Sequence, residues 1–154
     1  MEKNHGVVQA GSEEGDEMIT DDICEALVGY IEGGADSELA TAAVSVRDSG
    51  ADVTIPAVHI GEDGDPDEDD IVRGTYLVPI EVVLATRPED DEGGIDHLAM
   101  TRNLVSLLAD SAAVIEHLDG VVRCWDSWGG QGRTGEEDGL RLTMFQLRIK
   151  AGPL

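Results

Sequence analysis

The chain has 154 residues, which suits one domain with a real hydrophobic core, because a chain of this size buries about 68 to 70% of its unfolded surface. It carries 33 acidic residues against 10 basic ones, for a formal net charge of -23. This balance argues against a nucleic-acid-binding face, because phosphate contacts need Lys and Arg. No apolar run approaches about 18 residues and no charged-then-apolar leader opens the chain, so neither a membrane span nor a signal peptide is expected.

The composition resembles that of proteins from salt-in halophilic archaea and their viruses. The basic residues are eight Arg and only two Lys, and there are only five aromatic residues. Such a charge repels itself at low salt, whereas at about 1 M salt the Debye length falls to about 3 Å and screens the repulsion. The alternative is an ordinary acidic protein of a mesophile, and a melting temperature that rises with salt would favour the halophile.

Cysteine and histidine are too sparse and scattered for a disulfide framework or a zinc site. Cys24 and Cys124 lie far apart in sequence, with no C-x-x-C motif and no clustered His. Both are expected to be free thiols buried in the protein.

The chain is predicted to begin with a flexible acidic arm over residues 1–19, followed by a single domain over residues 20–154. A first helix is predicted from about Asp21 to Glu32, ended by a glycine pair. Strands are predicted at Thr41–Arg47 and Val53–Ile60, with a turn over residues 48–50 between them. Pro56, which lacks the donor that a strand needs, predicts an edge or a bulge there.

The acidic block over residues 61–71 predicts a solvated loop. Asp63, Asp65 and Asp67 match positions 1, 3 and 5 of an EF-hand register, which raises the possibility of calcium binding. That register fails because Glu68 replaces the turn glycine and Gly74 replaces the bidentate glutamate. No metal site is therefore expected in this loop.

The segment Arg73–Thr86 gives the strongest strand pattern and is long enough to cross a whole sheet, with apolar residues on both faces, so that both faces are expected to be covered. Glu81 interrupts one face near the middle. It is interpreted either as a rim residue that faces water or as a buried carboxylate with a partner. A rim position fits a sheet whose second face meets another subunit imperfectly.

The main amphipathic helix is predicted over Ile95–Ala109, after a glycine pair. Its polar arc, which includes Arg102, is expected to face solvent or the next subunit. Asp110 and Ser111 are expected to end this helix and cap a short one over residues 112–118. The apolar arc contains Ile95, Leu98, Met100, Leu104, Val105, Leu107, Leu108 and Ala109.

Two more strands are predicted near the C-terminus, Val121–Trp128 and Leu140–Ala151. In the last one the apolar face switches at Met144–Phe145, which predicts a β-bulge or a sheet that is buried differently at its two ends. The segment Gly129–Gly139 between them predicts a flexible, projecting hairpin loop. Its glycines satisfy G-x-G-x-x-G, but a dinucleotide fingerprint opens a helix, whereas this segment leads into a strand.

No catalytic constellation is visible in the sequence. It lacks a G-x-S-x-G elbow, an H-E-x-x-H pair and a Cys with a sequence-near His. His59, His97 and His117 are expected to be structural or solvent-facing. The chain is therefore predicted not to be an enzyme, with no catalytic, cofactor-binding or metal-binding residues.

The elements predict an α+β fold: a mostly antiparallel sheet of about four to five strands, with a main amphipathic helix and shorter helices packed on one face. Their order, together with IPAVHI, GTYLVPIEVVLAT, GGIDHLAMTRNLVSLLAD, GVVRCWDSW and LRLTMFQLRIKAG, resembles the tail terminator (tail completion) proteins of long-tailed viruses. The resemblance covers residues 20–152 and lies in element order and texture.

The resemblance implies a structural virion protein at the head-proximal end of the tail, assembled in the host cytoplasm. It implies a homo-oligomeric, hexameric ring that caps the tail tube, ends its polymerisation and joins it to the head connector. The implied partners are the tail tube protein and the connector proteins, with DNA passing through an acidic lumen without specific binding and with no cofactor or membrane. The alternatives are another head-tail connector or neck ring protein, and a small acidic enzyme or ligand-binding domain of a halophilic cell.

Candidate contacts follow from position alone. They are the N-terminal arm and the loops Glu62–Asp70 and Gly129–Gly139. Tryptophan is enriched in interface hot spots, although a core role is an equal alternative for at least one of the two. The candidate interaction residues are Asp65, Asp67, Glu68, Glu81, Arg102, Trp125, Trp128 and Arg133.

Overall fold

The computed structural model describes residues 6–47, 54–130 and 132–154, with side chains from Met18 onward. The described residues form three α-helices, α1 (Gly6–Gly34), α2 (Ile95–Ala109) and α3 (Ser111–Leu118). They also form seven strands: β1 (Ala43–Val46), β2 (Ala57–Glu62), β3 (Asp67–Glu68), β4 (Tyr76–Thr86), β5 (Arg123–Gly129), β6 (Arg133–Glu137) and β7 (Leu140–Gly152). The predicted α+β class is confirmed.

All seven strands belong to one mixed sheet. Its main order is β1-β2-β4-β7-β5, while β3 pairs with β4, and β6 pairs with β7 beyond the end of β5. Only β1 and β2 are parallel, and the other pairings are antiparallel. The main path has the predicted number of strands, and β3 and β6 are two short strands in segments predicted as loops.

The core lies between one face of this sheet, here called the inner face, and the helices. Alternate residues of β4 are buried on it, and β7 places its own alternate residues directly opposite them. Hydrophobic burial of this kind is the main driving force of folding. The inner-face residues of β4 and β7 include Tyr76, Val78, Ile80, Val82, Leu84, Phe145, Leu147 and Ile149, and the helices add Ile23, Leu27, Ile31, Leu104, Leu108 and Leu118.

The first helix is longer than predicted. It begins at Gly6, so it continues through residues 6–19, which were predicted as a flexible arm, and it is the longest helix instead of one of the shorter ones. Glycines at positions 11 and 15 suggested an arm, but each costs only about 1 kcal/mol relative to Ala in a helix, and Gln, Ala, Glu and Met around them favour one. Residues 1–5 lie outside the described residues.

The main helix has the predicted bounds, but its buried arc differs. His97, Met100, Leu104 and Leu108 are buried, whereas Ile95, Leu98 and Val105 are 70%, 49% and 38% exposed. The buried arc is centred closer to His97 than hydrophobicity alone predicts, because the imidazole finds hydrogen-bond partners on the sheet.

The boundary between α2 and α3 is as predicted. The side chain of Asp110 accepts a hydrogen bond from the backbone nitrogen of Ala113 at 3.1 Å, which satisfies one of the unpaired donors at the start of α3.

The parallel pairing of β1 with β2 could not be anticipated from two neighbouring strands, because antiparallel neighbours are the default for a short connection. The predicted turn lies in residues 48–53, outside the described residues. Pro56 follows a cis peptide bond and precedes the first residue of β2. It therefore lies outside the strand, and the expected edge or bulge at this position is wrong.

The last strand has no bulge at Met144–Phe145. Its register with β4 is continuous from Ala151 to Arg141, and Thr143 extends the buried series begun by Phe145. Because Thr is not an apolar residue, the buried Thr143 interrupts the hydrophobic alternation of β7. The sequence pattern therefore indicated that the apolar face switches at Met144–Phe145. The irregularity lies instead in β5, between Cys124 and Asp126.

Two predicted loops contain strands. The segment 129–139 forms β6 and a tight turn in which Asp138 and Gly139 have φ of 54° and 76°, which is typical of a two-residue hairpin of Asp-Gly type. The acidic block 61–71 contributes the end of β2 and the two residues of β3. The rest of that block is largely exposed, as a solvated loop should be.

Within the described part of the chain, no single helix is long and apolar enough to span a membrane. Residues 92–109 and helix α3 meet that criterion only as a pair, across a bend of 70°.

Candidate functional site

The face of the sheet that points away from the helices, here called the outer face, is the most distinctive surface of the described residues. Along β4 the outer-face residues Leu77, Pro79, Glu81 and Val83 are only half-buried. Along β7, Met144, Gln146 and Arg148 are exposed. The second face of β4 is therefore less covered than predicted.

The outer face differs from the rest of the chain in charge. Strand alternation and register place on its strands five of the ten basic residues and four of the 33 acidic ones, so the strands themselves are close to neutral. The basic residues are Arg47, Arg123, Arg133, Arg148 and Lys150, and the acidic ones are Asp67, Glu81, Asp126 and Glu137. The acidic loop adds carboxylates along one side of this face, where Asp63 accepts a hydrogen bond from Gln146, and Asp65 lines a groove with Arg148.

Glu81 lies at the middle of this face with a partner. Its Oε1 accepts a hydrogen bond from Nη1 of Arg47 at 3.0 Å, and the two side chains are 23% and 38% exposed. Arg47 lies over Gly61, where an added Cβ would come within 2.6 Å of the guanidinium. Of the two alternatives for Glu81, the structure gives a partly buried carboxylate with a partner. Because the pair is partly solvated, we expect it to stabilise the fold by at most about 1 kcal/mol.

A groove of about 470 Å³ opens where the outer face meets the acidic loop. Leu77, Trp128 and Lys150 line it on the sheet side, and residues 67–71 form its other wall. Trp128 is 48% exposed. Tryptophan is enriched in protein-binding surfaces, so the exposed indole makes this groove a candidate for one.

The loop that borders the groove is held by its own hydrogen bonds. Oδ1 of Asp69 accepts from the backbone nitrogens of Ile71 and Val72, at 2.7 and 3.0 Å. These bonds, first that from Val72, lower the pKa of Asp69. Glu68 accepts from the backbone nitrogen of Gly74. The loop thus displays Ile71, which is 90% exposed, on an ordered backbone.

The structure brings four of the eight predicted interaction residues together on the outer face: Asp67, Glu81, Trp128 and Arg133. Asp65 is exposed in the loop beside that face, and Glu68 is the β3 residue that holds Gly74. Trp125 is 49% exposed at the irregularity of β5. Arg102 is exposed on α2, in the helical layer.

The sequence reasoning missed Arg123, Met144, Arg148 and Lys150 on the same face. The signal was present in β7, where Met144, Gln146, Arg148 and Lys150 alternate with buried apolar residues. The supposed switch at Met144–Phe145 hid this alternation.

A buried polar cluster lies on the inner face, beside a groove of about 170 Å³ that Thr86 and Asp91 help to line. Nδ1 of His97 is hydrogen-bonded to Thr86 and Nε2 to Thr143, both at 2.7 Å, and Thr143 is 2.8 Å from the hydroxyl of Thr134. Burial and then the charge of Arg141 lower the pKa of His97. His97 is thus a neutral histidine that links α2 to β4, β7 and β6.

Asp91 orders the start of α2 beside this cluster. Its two carboxylate oxygens accept from the backbone nitrogens of Asp96 and His97, at 3.0 and 2.8 Å. Burial raises the pKa of Asp91, but these hydrogen bonds and Arg141 outweigh burial, so the net shift is downward. The carboxylate satisfies free donors at a helix N-terminus, where negative charge is favoured.

Across residues 18–47, 54–130 and 132–154, no group of three or more His, Cys, Asp or Glu is placed to hold a metal ion. Gly135 of the G-x-G-x-x-G motif lies inside strand β6, in a segment predicted as a loop, and no helix follows the motif. No known protein family matches the chain. No curated protein has significant sequence similarity to it.

Proposed function

We propose that this chain is a structural virion protein that assembles into a ring, and specifically a tail terminator. In this role it caps the tail tube, ends its polymerisation and joins the tail to the head connector. The observation that carries the proposal is the outer face of the sheet, which is half-exposed, partly apolar and nearly neutral in a chain of net charge -23.

Strands close to neutral are unusual in a chain of this net charge. A strongly acidic protein keeps its copies apart by repulsion. A face without that repulsion, with Trp128 and Met144 exposed on it, is the place where another protein can bind. The order of elements, with one sheet covered by helices on one side, supports the same assignment.

The acidic surface fits a protein through which DNA passes. A duplex carries one phosphate charge per about 1.7 Å of its axis, so an acidic lining repels it and prevents adhesion during genome passage. DNA is accordingly a passenger in this proposal and not a ligand.

The first experiment measures mass. Light scattering and native mass spectrometry in molar KCl should give a closed oligomer, a hexamer in the simplest case, that appears as a ring in negative-stain micrographs. A monomer at every concentration would contradict a ring protein of any kind and would favour the acidic enzyme or ligand-binding domain.

The second experiment separates a terminator from a connector. Antibodies against the chain are applied to tails and heads purified separately from lysates of the producing virus. A terminator should label the head-proximal end of free tails, whereas a connector or neck protein should label tail-less heads. Label confined to heads would refute the terminator assignment.

A further inference from the structure

We propose that two copies of this chain pair through the free edge of β6, so that their β6 strands run antiparallel in one sheet that continues from copy to copy. The observation that carries the proposal is the sequence of β6, Arg133–Glu137, which is complementary to a second copy of itself in charge and in backbone hydrogen bonding. The inference goes beyond the proposed function, because a two-fold contact closes after two copies and does not by itself form a ring.

Strand β6 is an exposed edge strand. Among the described residues only β7 pairs with it, and all five of its residues are exposed. It contains neither Lys nor Pro, which commonly protect a sheet edge from further pairing. Charges of one sign also protect an edge, but the charges of β6 are of both signs. The edge is therefore open to another strand.

The hairpin determines which backbone groups of β6 face this edge. Both residues of the turn after β6 have positive φ, which is typical of a two-residue hairpin that starts from a hydrogen-bonded pair, here Glu137 and Leu140. Backbone N–H and C=O groups alternate in direction along an antiparallel strand. Those of Glu137 therefore point to β7, whereas those of Thr134 and Glu136 point to the free edge.

An antiparallel register centred on Gly135 satisfies these free groups. It places Thr134 of one copy opposite Glu136 of the other, and these two residues exchange both of their backbone hydrogen bonds. The two-fold symmetry forms the same pair a second time. Gly135 lies on the axis, at a position where antiparallel strands come closest, and an added Cβ there would meet nothing within 4 Å in its own copy.

The same register pairs opposite charges. Arg133 of each copy lies opposite Glu137 of the other copy on the outer face, where cross-strand pairs of opposite charge stabilise a sheet. Glu136 lies 3.9 Å from Arg141 of its own copy, so part of its charge is compensated without the second copy. A chain of net charge -23 thus has a short segment at which two copies attract each other.

The other strand edges offer no such match. Strand β1, Ala43–Val46, ends the opposite side of the sheet and has no charged residue, so pairing with it would leave Arg133 and Glu137 without partners. Strand β5 has a register shift, and the carbonyl of its Ser127 already accepts a hydrogen bond from the hydroxyl of Ser111.

Neighbouring registers of β6 with itself are also less favourable. A register centred on Glu136 would place the two Glu136 side chains opposite each other, and like charges in that position are destabilising. A register centred on Thr134 would place Arg133 opposite Gly135, without a charge partner. A register centred between two residues would set a residue that faces the edge against one that faces β7.

Charge exchange tests the proposal. Arg133→Glu and Glu137→Arg each bring like charges together in both symmetric pairs, so each should raise the dissociation constant of the dimer about tenfold. The double variant with both changes restores opposite charges and should pair like the unchanged protein. An equimolar mixture of the two single variants should form mixed dimers, because each variant supplies the charges that the other lacks.

A second pair of variants tests the backbone contact. Glu136→Pro removes an N–H group that faces the edge, where proline is tolerated, and should weaken pairing about tenfold or more. Glu136→Gln removes the same charge but keeps the N–H group, so it should stay within about threefold of the unchanged protein. Arg102→Glu, an exposed charge reversal on α2, should leave pairing unchanged.

Sedimentation equilibrium and native mass spectrometry in molar KCl measure the dissociation constants, and circular dichroism with melting temperature establishes that each variant folds. A larger assembly that contains this contact should separate into halves in the single variants. A protein that stays monomeric at every concentration, or a folded Glu136→Pro variant that pairs normally, would overturn the proposal. So would a double variant that dissociates as readily as the single ones. A ring that none of these variants changes would overturn only the β6 contact and leave the proposed function standing.

Discussion

His97 occupies a position on α2 where the neighbouring buried residues are apolar, and both of its ring nitrogens are hydrogen-bonded. One nitrogen donates and the other accepts in the neutral ring, so the two threonine hydroxyls can satisfy it fully. The hydroxyl oxygens could also accept from a protonated ring, but protonation would place a positive charge in a buried setting near Arg141. Burial and Arg141 therefore favour the neutral form.

A pH dependence of stability follows. The pKa of His97 lies below its ordinary value of 6.5 in the folded protein, first because of burial and then because of Arg141. Below pH 6.5 the unfolded chain binds a proton that the folded chain does not, so the free energy of unfolding should decrease as the pH falls. Urea unfolding between pH 8 and 5 measures this, above the range in which most carboxylates titrate.

The matched variants for this prediction are His97→Gln and His59→Gln. The first removes the buried imidazole, so it should lower stability at pH 8 and flatten the decrease toward pH 5. His59 is half-buried on the outer face, and its replacement should preserve the decrease. An unchanged pH dependence in His97→Gln would show that another group causes it.

The two cysteines are free, and burial controls their reactivity. Burial and then the negative charge of Asp21 raise the pKa of Cys24 to about 12. Burial also raises the pKa of Cys124, which is only half-buried. Because the thiolate is the reacting form, thiol reagents should modify the folded protein slowly at pH 8.

Single-cysteine variants measure this difference. With Cys124→Ala, the remaining Cys24 should react at least about 100-fold more slowly in the folded protein than in denaturant. With Cys24→Ala, Cys124 should react faster than Cys24 does in the folded state. Rapid modification of Cys24 without unfolding would contradict the placement of α1 on the sheet.

At the scale of elements, α2 offers a sharp test of which face is buried. Leu104 is fully buried, whereas Leu98 on the same helix is 49% exposed. Leu104→Asp buries an unpaired charge and should cost about 4 kcal/mol or more, enough to unfold many small domains. Leu98→Asp should cost about 1 kcal/mol or less.

Chemical denaturation of the two variants, at concentrations where the protein is monomeric, gives both numbers. Equal costs would mean that α2 is rotated relative to the described structure. A folded Leu104→Asp protein would contradict the packing of this helix on the sheet.

Elements with a local signal were predictable from the sequence. Helix α2 and strand β4 have a clear hydrophobic period, and Asp110 is a recognisable cap between two helices. The parallel pairing of β1 with β2 and the recruitment of β6 depend on distant partners, and no local pattern encodes them. The start of α1 was missed because the glycines at positions 11 and 15 suggested a flexible arm, although the residues around them favour a helix.

The candidate surface was predictable only in part. Trp128, Glu81 and Arg133 stood out by residue type, and strand alternation placed them on one face. Arg148 was missed because the buried Thr143 disguised the alternation of β7. Thr143 is polar for a reason that lies elsewhere in the sequence, since it is hydrogen-bonded to His97.

For the whole molecule, the decisive property is how charge is distributed and not only its sum. Among the described side chains, the helical layer and the loop over residues 62–70 each carry six exposed carboxylates, whereas the strands of the outer face are close to neutral, so repulsion within the fold is concentrated in those two regions. Salt should therefore stabilise the protomer mainly by screening charges on the helices and on that loop.

Thermal unfolding of the protein, at concentrations where it is monomeric, separates this effect from assembly. Its melting temperature should rise between 0.1 M and about 3 M KCl, by about 2 to 4 °C for each kcal/mol of relieved repulsion.

Replacing Asp21 and Asp22 by Asn and Glu25 by Gln removes three exposed charges of α1. That triple variant should melt higher in low salt and respond less to KCl, and the same replacements at the exposed loop residues Asp65, Asp70 and Glu89 should act in the same direction. If neither set changes the salt response, or if the midpoint does not rise with salt, self-repulsion does not limit this fold and its acidity needs an explanation other than halophily.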